Sequence, residues 1–278
     1  MAISIPIIWH AAPRDAATTA AAHLASRTGA SVMLSDPPAT LGHRWIVNPR
    51  ALAFARALQA AGVNTSITVW VSPQPAWREG LINWLKTSAE ARGWDSPILL
   101  NVEGEWNRSS LASVALGEEI GAAAPRGTGV VTFGPAGTSA RSSNEPDDGI
   151  IAMLRRTGGP LVVEAYSRQE SGFNRPEWSP SKFGAWMAAK WRERGYTGPI
   201  WHGIGVYGTP HQGWDDQTRI TDAAKAAPPR TPLYVWAWGS TDARELATLA
   251  ALPRSTPIPW TMIVPLLALA GGAALLWR

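Results

Sequence analysis

The chain has 278 residues, of which 45% are hydrophobic and 17% are charged, and it contains no cysteine. That length and apolar content suffice for one large domain or two small ones with a substantial core. The lack of cysteine excludes disulfides and thiol catalysis. The net charge of +4 comes without a Lys/Arg cluster, which argues against a nucleic-acid partner.

Tryptophan is unusually abundant, with 16 residues against 4 Phe and 4 Tyr. Indole combines a flat apolar face with one N–H donor, which suits stacking on sugar rings and contact with membrane interfaces. We expect about half of these tryptophans to fill the core instead, as large apolar side chains commonly do.

Apolar strand-like runs alternate with longer, Ala-rich helical segments along most of the chain. The pattern predicts strands over 3–9, 31–35, 66–72, 97–103, 129–134, 161–166, 199–204 and 232–238. It predicts helices over 13–28, 49–61, 76–92, 109–123, 147–156, 180–194, 214–226 and 242–252. Eight such units predict the α/β class and a (β/α)8 TIM barrel over residues 1–253, with a doubly wound open sheet as the main alternative.

The fourth predicted strand carries polar groups on one of its faces. Positions 98, 100 and 102 are apolar, whereas Asn101, Glu103 and Glu105 alternate with them. A strand of this kind suits a barrel in which polar side chains at strand ends converge on the substrate. Long segments after the predicted strands, such as 36–48 and 167–179, also favour a binding site at that end.

The same alternation places further polar and aromatic side chains inside the barrel. Trp70 points inward from the third strand, and Glu164 and Tyr166 do so from the sixth. On the eighth strand the inward residues are Tyr234, Trp236 and Trp238. We therefore predict a cavity of carboxylates surrounded by aromatic rings, in which Trp236 or Trp238 forms the floor of a sugar subsite.

Such a cavity suits glycosidic bond hydrolysis, which needs a protonated carboxyl for the leaving oxygen and a second group, a carboxylate or a substrate amide. We predict Glu103 as the acid, because Glu105 and apolar walls would both raise the pKa of its carboxyl. Glu164 is the predicted catalytic partner. Tyr166 is predicted to orient a substrate group.

Three short segments resemble (β/α)8-barrel glycoside hydrolases. Residues 101–105, Asn-Val-Glu-Gly-Glu, look like the fourth-strand D-x-D-x-E signature of family 18 chitinases, and their first three residues look like the D-V-E of family 25 muramidases. The segments Glu164–Ser167 and Trp236–Gly239 resemble sixth- and eighth-strand segments of these enzymes. The resemblance implies hydrolysis of an N-acetylated sugar polymer, with Glu105 as the acid in the chitinase alignment and Glu103 in the muramidase one.

The chain also departs from these families, which keeps other functions open. Asn101 stands where both families have Asp, and Trp9-His10 stands where muramidases have a first-strand Asp. The alternatives are a non-catalytic glycan-binding or structural barrel, whose glutamates pair with arginines such as 108, 141 or 168, and a metabolic barrel tethered to a membrane. The five histidines show no metal-binding spacing, so we predict neither a metal nor a cofactor.

Residues 255–277 carry no charge and lie between Arg254 and Arg278. This length spans a bilayer core, which needs about 20 residues. We therefore predict a single C-terminal transmembrane helix over residues 254–278, with Ile258–Trp277 in the lipid and Trp260 near one interface.

Because the first ten residues lack a basic n-region, we expect no signal peptide. The predicted protein is a membrane-anchored peptidoglycan hydrolase, carried either in the membrane of a phage particle or lysis system or in a bacterial inner membrane.

Overall fold

The computed structural model describes residues 7–10, 29–34, 45, 47–94, 97–103, 106, 109, 111–132, 145–164, 179–205, 221–223 and 231–236. Eight parallel strands pair in chain order, and β8 pairs with β1 to close a barrel. The strands are β1 Ile7–His10, β2 Gly29–Met33, β3 Thr65–Trp70, β4 Ile98–Asn101, β5 Gly129–Thr132, β6 Leu161–Glu164, β7 Ile200–Gly205 and β8 Leu233–Trp236. The predicted barrel is thus confirmed, and the open-sheet alternative is wrong because the sheet has no free edge.

The described helices lie between these strands as a (β/α) chain requires. They are α1 Pro49–Ala60, α2 Pro75–Thr87, α3 Ala89–Arg92, α4 Val114–Ala123, α5 Glu145–Thr157 and α6 Pro180–Glu193. Each of α1, α2 and α6 begins with a proline, whose fixed φ and missing N–H suit the first helical turn.

Two predicted helices differ from the observed ones for local reasons. The helix predicted over 76–92 is divided at Ser88, which has an extended backbone and accepts a hydrogen bond from the Ala91 N–H at 3.0 Å. The helix predicted over 109–123 begins only at Val114, after Ser113 accepts a hydrogen bond from the Leu116 N–H at 3.3 Å. In both places a serine side chain caps the start of a helix.

Alternating strand residues divide the apolar core into two layers. Outward side chains such as Ile67, Leu100 and Val163 join the large core between the strands and the helices. A smaller cluster lies inside the barrel and consists of Leu99, Val131, Val162, Trp201 and Tyr234. This cluster shows which residues of the fifth and seventh strands point inward, which the sequence pattern alone left ambiguous.

Close contact between α4 and α5 depends on glycine. A β-carbon at Gly117 would overlap the backbone carbonyl of Gly149, and a β-carbon at Gly149 would lie 2.7 Å from the Ser113 carbonyl oxygen. The two helix backbones therefore touch at a distance that no larger residue allows. This contact holds the helices that flank β5, next to the strand that carries the candidate site.

The predicted transmembrane segment, residues 254–278, lies outside the described residues. Among the residues that the structure describes, no helix is both long and apolar enough to cross a bilayer.

Candidate active site

The carboxyl end of β4 carries two of the predicted site residues. Outward side chains at Ile98, Leu100 and Val102 fix the orientation of the strand, because all three are buried in the outer core. Asn101 therefore points into the barrel, where it is fully buried, and Glu103 follows it on the same side. The Asn101 Nδ2 donates a hydrogen bond to Glu103 Oε1 at 2.7 Å. The amide thus positions one oxygen of the carboxyl group.

Glu164 at the end of β6 meets Glu103 directly. The Glu164 side chain lies within hydrogen-bonding reach of the Glu103 carboxyl group, and two carboxyl groups share a hydrogen bond only when one of them holds a proton. Burial raises the pKa of the Glu103 carboxyl, while the hydrogen bonds with Asn101 and Glu164 oppose that rise. Glu164 is only 1% exposed, whereas Glu103 is partly accessible. Of the pair, Glu103 is therefore the carboxyl that a bound molecule can reach.

Tyr234, on the inner face of β8, lies two strands away from Glu164. Strand register aligns Glu164 with Gly203 of β7, and Gly203 with Tyr234 of β8. Since Gly203 has no side chain, nothing from β7 separates the Glu164 carboxyl from the Tyr234 ring at this level. A β-carbon at Gly203 would lie 3.0 Å from the Val163 carbonyl oxygen, so the strand is tightly packed there.

Two hydroxyl groups complete the polar interior. Ser31 Oγ of β2 and Thr68 Oγ1 of β3 are hydrogen-bonded at 2.5 Å, and both residues are fully buried. They interact with the Tyr234 phenol. Five strands thus supply polar groups to the interior of the barrel. The residue pattern of any single strand could not predict that these groups lie together.

The remaining predicted site residues are only partly described. Trp70, at the end of β3, is aligned with Asn101 in the strand register and is partly buried. Trp236 ends β8, which agrees with its predicted position in the strand. Glu105, Tyr166 and Trp238 lie outside the described residues, as do the arginines at 108, 141 and 168.

The contact between the two carboxyl groups limits the chemistry of the pair. Glycosidases that use two carboxylates hold them about 5–5.5 Å apart for retention or about 6.5–9.5 Å apart for inversion. Carboxyl groups within hydrogen-bonding reach of each other are closer than either spacing, so Glu103 and Glu164 do not flank a sugar ring in this arrangement. Instead they are placed to share one proton.

The described residues contain no group of three or more His, Cys, Asp or Glu side chains that could hold a metal ion. The polar cluster consists of two carboxyl groups, an amide and three hydroxyl groups. It suits proton transfer and hydrogen bonding to a polar substrate.

The chain resembles known proteins in fold but not in sequence. No family model matches the chain, and no curated protein matches its sequence. A chitinase from Chromobacterium violaceum is similar in structure, with a TM-score of 0.55 and 13% identity over 88% of this chain and 98% of the chitinase.

Two further solved structures share the fold. The spore cortex-lytic enzyme SleL of Bacillus cereus matches with a TM-score of 0.52 and 10% identity, over 92% of this chain and 76% of SleL. The PgaB (BpsB) glycoside hydrolase domain of Bordetella bronchiseptica matches with a TM-score of 0.51 and 8% identity, over 91% of this chain and 99% of the domain. At these identities the likeness establishes a TIM-barrel-like α/β fold.

Proposed function

We propose that this protein hydrolyses glycosidic bonds in an N-acetylated cell-wall polymer, with peptidoglycan as the favoured substrate. The observation that carries the proposal is the close pair of buried carboxyl groups, Glu103 and Glu164, at the carboxyl ends of parallel barrel strands. Active sites of such barrels lie at that end. The fold hosts many chemistries, and its likeness to a chitinase and a glycoside hydrolase domain favours carbohydrate among them.

Glu103 is the proposed general acid. Its pKa is raised by burial, so a proton remains available at a higher pH than for an exposed glutamate. In the first step this proton moves to the glycosidic oxygen, and the bond between that oxygen and the anomeric carbon breaks. Asn101, which donates to Glu103 Oε1, holds the carboxyl group in place throughout.

The proposed nucleophile belongs to the substrate. Because Glu164 contacts Glu103, it does not lie on the opposite face of the sugar, where a carboxylate nucleophile or base is needed. The 2-acetamido oxygen of an N-acetylated sugar can attack the anomeric carbon instead, forming a cyclic intermediate. Water then opens this ring and returns a proton to Glu103. The acetamido oxygen and the water attack from opposite faces of the sugar, and two successive inversions retain the anomeric configuration. NMR of the products before they mutarotate checks this.

A non-catalytic glycan-binding barrel is the second candidate. Asn101 favours it, because an amide stands where the resembling families have a carboxylate, and an amide cannot take up a proton in its place. Both candidates place a sugar at the carboxyl ends of the strands, beside Glu103. They differ only in whether the bound polymer is cleaved.

Substitution of the acid separates the two candidates. Glutamine keeps the shape of glutamate but cannot deliver a proton, so Glu103→Gln is expected to lower turnover of peptidoglycan and chitin fragments by about 10²–10⁴-fold. Ligand affinity should stay nearly unchanged. Glu118→Gln, on the exposed surface of α4, is the matched control and should leave turnover unchanged. Glu105→Gln is tested alongside, since the two resembling families differ over which glutamate donates.

The cleavage and binding measurements distinguish a hydrolase from a binding protein. Cleavage by the wild type that Glu103→Gln abolishes supports the proposal. Binding without cleavage by the wild type, together with a higher free energy of unfolding for Glu103→Gln, supports the binding protein. Cleavage that survives both the Glu103 and the Glu105 substitution would exclude this assignment of the acid and direct attention to Glu164.

We also propose that residues 258–277 anchor the barrel to a bilayer. The support is the uncharged run between Arg254 and Arg278, bounded by Trp260 and Trp277. An anchored hydrolase of this kind fits a phage particle with a membrane or a lysis system, which would deliver it to the cell wall, and a bacterial inner membrane is the alternative location.

A further inference from the structure

We infer that Tyr234 is a positioning residue for the pair of Glu103 and Glu164: its hydroxyl group donates a hydrogen bond to the pair once the pair has lost its proton. The inference rests on the proposed function, in which Glu103 gives that proton to the leaving oxygen. It adds a residue from β8 to a site built so far from β4 and β6.

The arrangement of strands brings the phenol to the pair. Glu164, Gly203 and Tyr234 follow one another across β6, β7 and β8 in the strand register. Neighbouring strands lie about 4.8 Å apart, so the first and last of these backbones are about 10 Å apart. A tyrosine side chain covers most of that span, and the missing side chain at Gly203 leaves the path open. Tyr234 is fully buried, which holds its ring inside the barrel.

The Tyr234 hydroxyl group is available as a donor. Its oxygen makes no hydrogen bond of standard geometry within the described part of the chain. The nearby hydroxyl groups of Ser31 and Thr68 are hydrogen-bonded to each other. The buried Asn101 Oδ1 also lacks a partner among the described residues, but as an acceptor it cannot stabilise a negative charge.

The phenol keeps its proton under all ordinary conditions. Burial raises the pKa of Tyr234, the neighbouring hydroxyl groups of Thr68 and Ser31 oppose the rise, and the charges of Glu164 and Glu103 add to it. Among the side chains that the structure describes, these two glutamates are the charged groups that act on it. His202 of β7 points the other way, since its Nδ1 would lie 3.0 Å from a β-carbon at Gly184 of α6.

The proposed reaction creates a need for such a donor. Before the reaction the pair holds one proton and one negative charge. When Glu103 passes its proton to the glycosidic oxygen, the pair carries two negative charges, and Asn101 donates to Glu103 alone. A second buried charge is costly without a hydrogen-bond donor. A movement of the Glu164 carboxylate towards the Tyr234 hydroxyl group, across the position that Gly203 leaves empty, supplies one without moving the backbone.

The test measures the proton of the pair directly. Infrared spectroscopy follows the C=O stretch of the protonated carboxyl group as the pH is raised, and Glu103→Gln and Glu164→Gln assign the band. Because a donor to the charged form lowers a carboxyl pKa, Tyr234→Phe is expected to shift proton release upward by about one pH unit. Tyr196→Phe is the control: that phenol is also buried, but it donates to the carbonyls of Gly159 and Pro199.

An upward shift in Tyr234→Phe but not in Tyr196→Phe supports the inference. An unchanged titration in a folded Tyr234→Phe protein, or an equal shift in both variants, overturns it. If Tyr234→Phe does not fold, wild-type protein made with 3-fluorotyrosine, a stronger donor, replaces it, and proton release should then move to lower pH. This spectroscopic result does not depend on cleavage, so it stays decisive if the chain proves to be a binding protein. In an active enzyme, Tyr234→Phe should lower kcat about tenfold with little change in KM.

Discussion

Burial has opposite effects on two titratable residues in the barrel wall. It raises the pKa of Glu103, which favours a protonated acid, and it lowers the pKa of His202, which favours a neutral imidazole. In both cases burial disfavours the charged form. Glu103 lies at the proposed site inside the barrel, whereas His202 packs against Gly184 of α6, so only the first of these effects bears on the proposed catalysis. The second one bears on stability.

The lowered pKa of His202 predicts a loss of stability in acid. The unfolded chain takes up a proton on this residue near its ordinary pKa of about 6.5, while the folded protein does so only at lower pH. The neutral imidazole therefore contributes stability above about pH 6.5, and this contribution falls as the pH drops towards the folded-state pKa. The loss reaches at most about 1.4 kcal/mol per pH unit.

Substitution by leucine removes this proton uptake. We expect urea unfolding at about pH 7 and about pH 5 to show a smaller loss of unfolding free energy for His202→Leu than for the wild type. The comparison uses the difference between the two pH values, because the substitution also changes packing against Gly184. Equal losses for both proteins would show that His202 is charged in the folded state as readily as in the unfolded one.

At the scale of elements, sequence alternation predicted the strands and their inward faces well. On β4 it placed Asn101 and Glu103 inside, and the outer core confirms this through Leu100 and Val102. The alternation pattern could not predict the contact of Glu103 with Glu164. This contact depends on barrel closure and on the register of β4 through β6. The role of Tyr234 depends in addition on an empty position at Gly203 of the intervening strand.

The contact between α4 and α5 gives a prediction at the same scale. Gly117→Ala would force a methyl group into the carbonyl of Gly149, so the helices must separate. We expect a loss of about 3 kcal/mol or more in the free energy of unfolding, at the upper end of the range for overpacked cores. Chemical denaturation measures it.

Gly80→Ala in α2 is the matched control for this substitution. Its new β-carbon would lie 3.2 Å from the Trp45 Cβ, a tight but adjustable contact, and alanine favours the helix by roughly 0.8–1.0 kcal/mol. We expect a net change within about 1 kcal/mol. Similar losses at both positions would mean that the α4–α5 contact has no special importance.

At the scale of the whole molecule, the closed barrel brings together groups that are far apart in the chain. Ser31, Thr68, Glu103, Glu164 and Tyr234 span about two hundred positions, yet the strand order β1 to β8 places them around one axis. Segments that follow β5, β6 and β7 start at the same end of the barrel as this cluster.

The uncharged tail can be removed without disturbing the strands of the barrel. The barrel closes through pairing of β8 with β1, and this pairing is complete by Trp236, so the barrel does not need the uncharged tail for closure. We expect a chain that ends at Arg254 to keep the melting temperature of the full-length protein in detergent and to lose co-sedimentation with lipid vesicles. A scrambled tail of equal hydrophobicity, as a control, should keep vesicle binding, since bilayer insertion depends on length and apolar content. Aggregation or unfolding of the shortened chain in water would instead place the tail within the core of the barrel and contradict the proposed anchor.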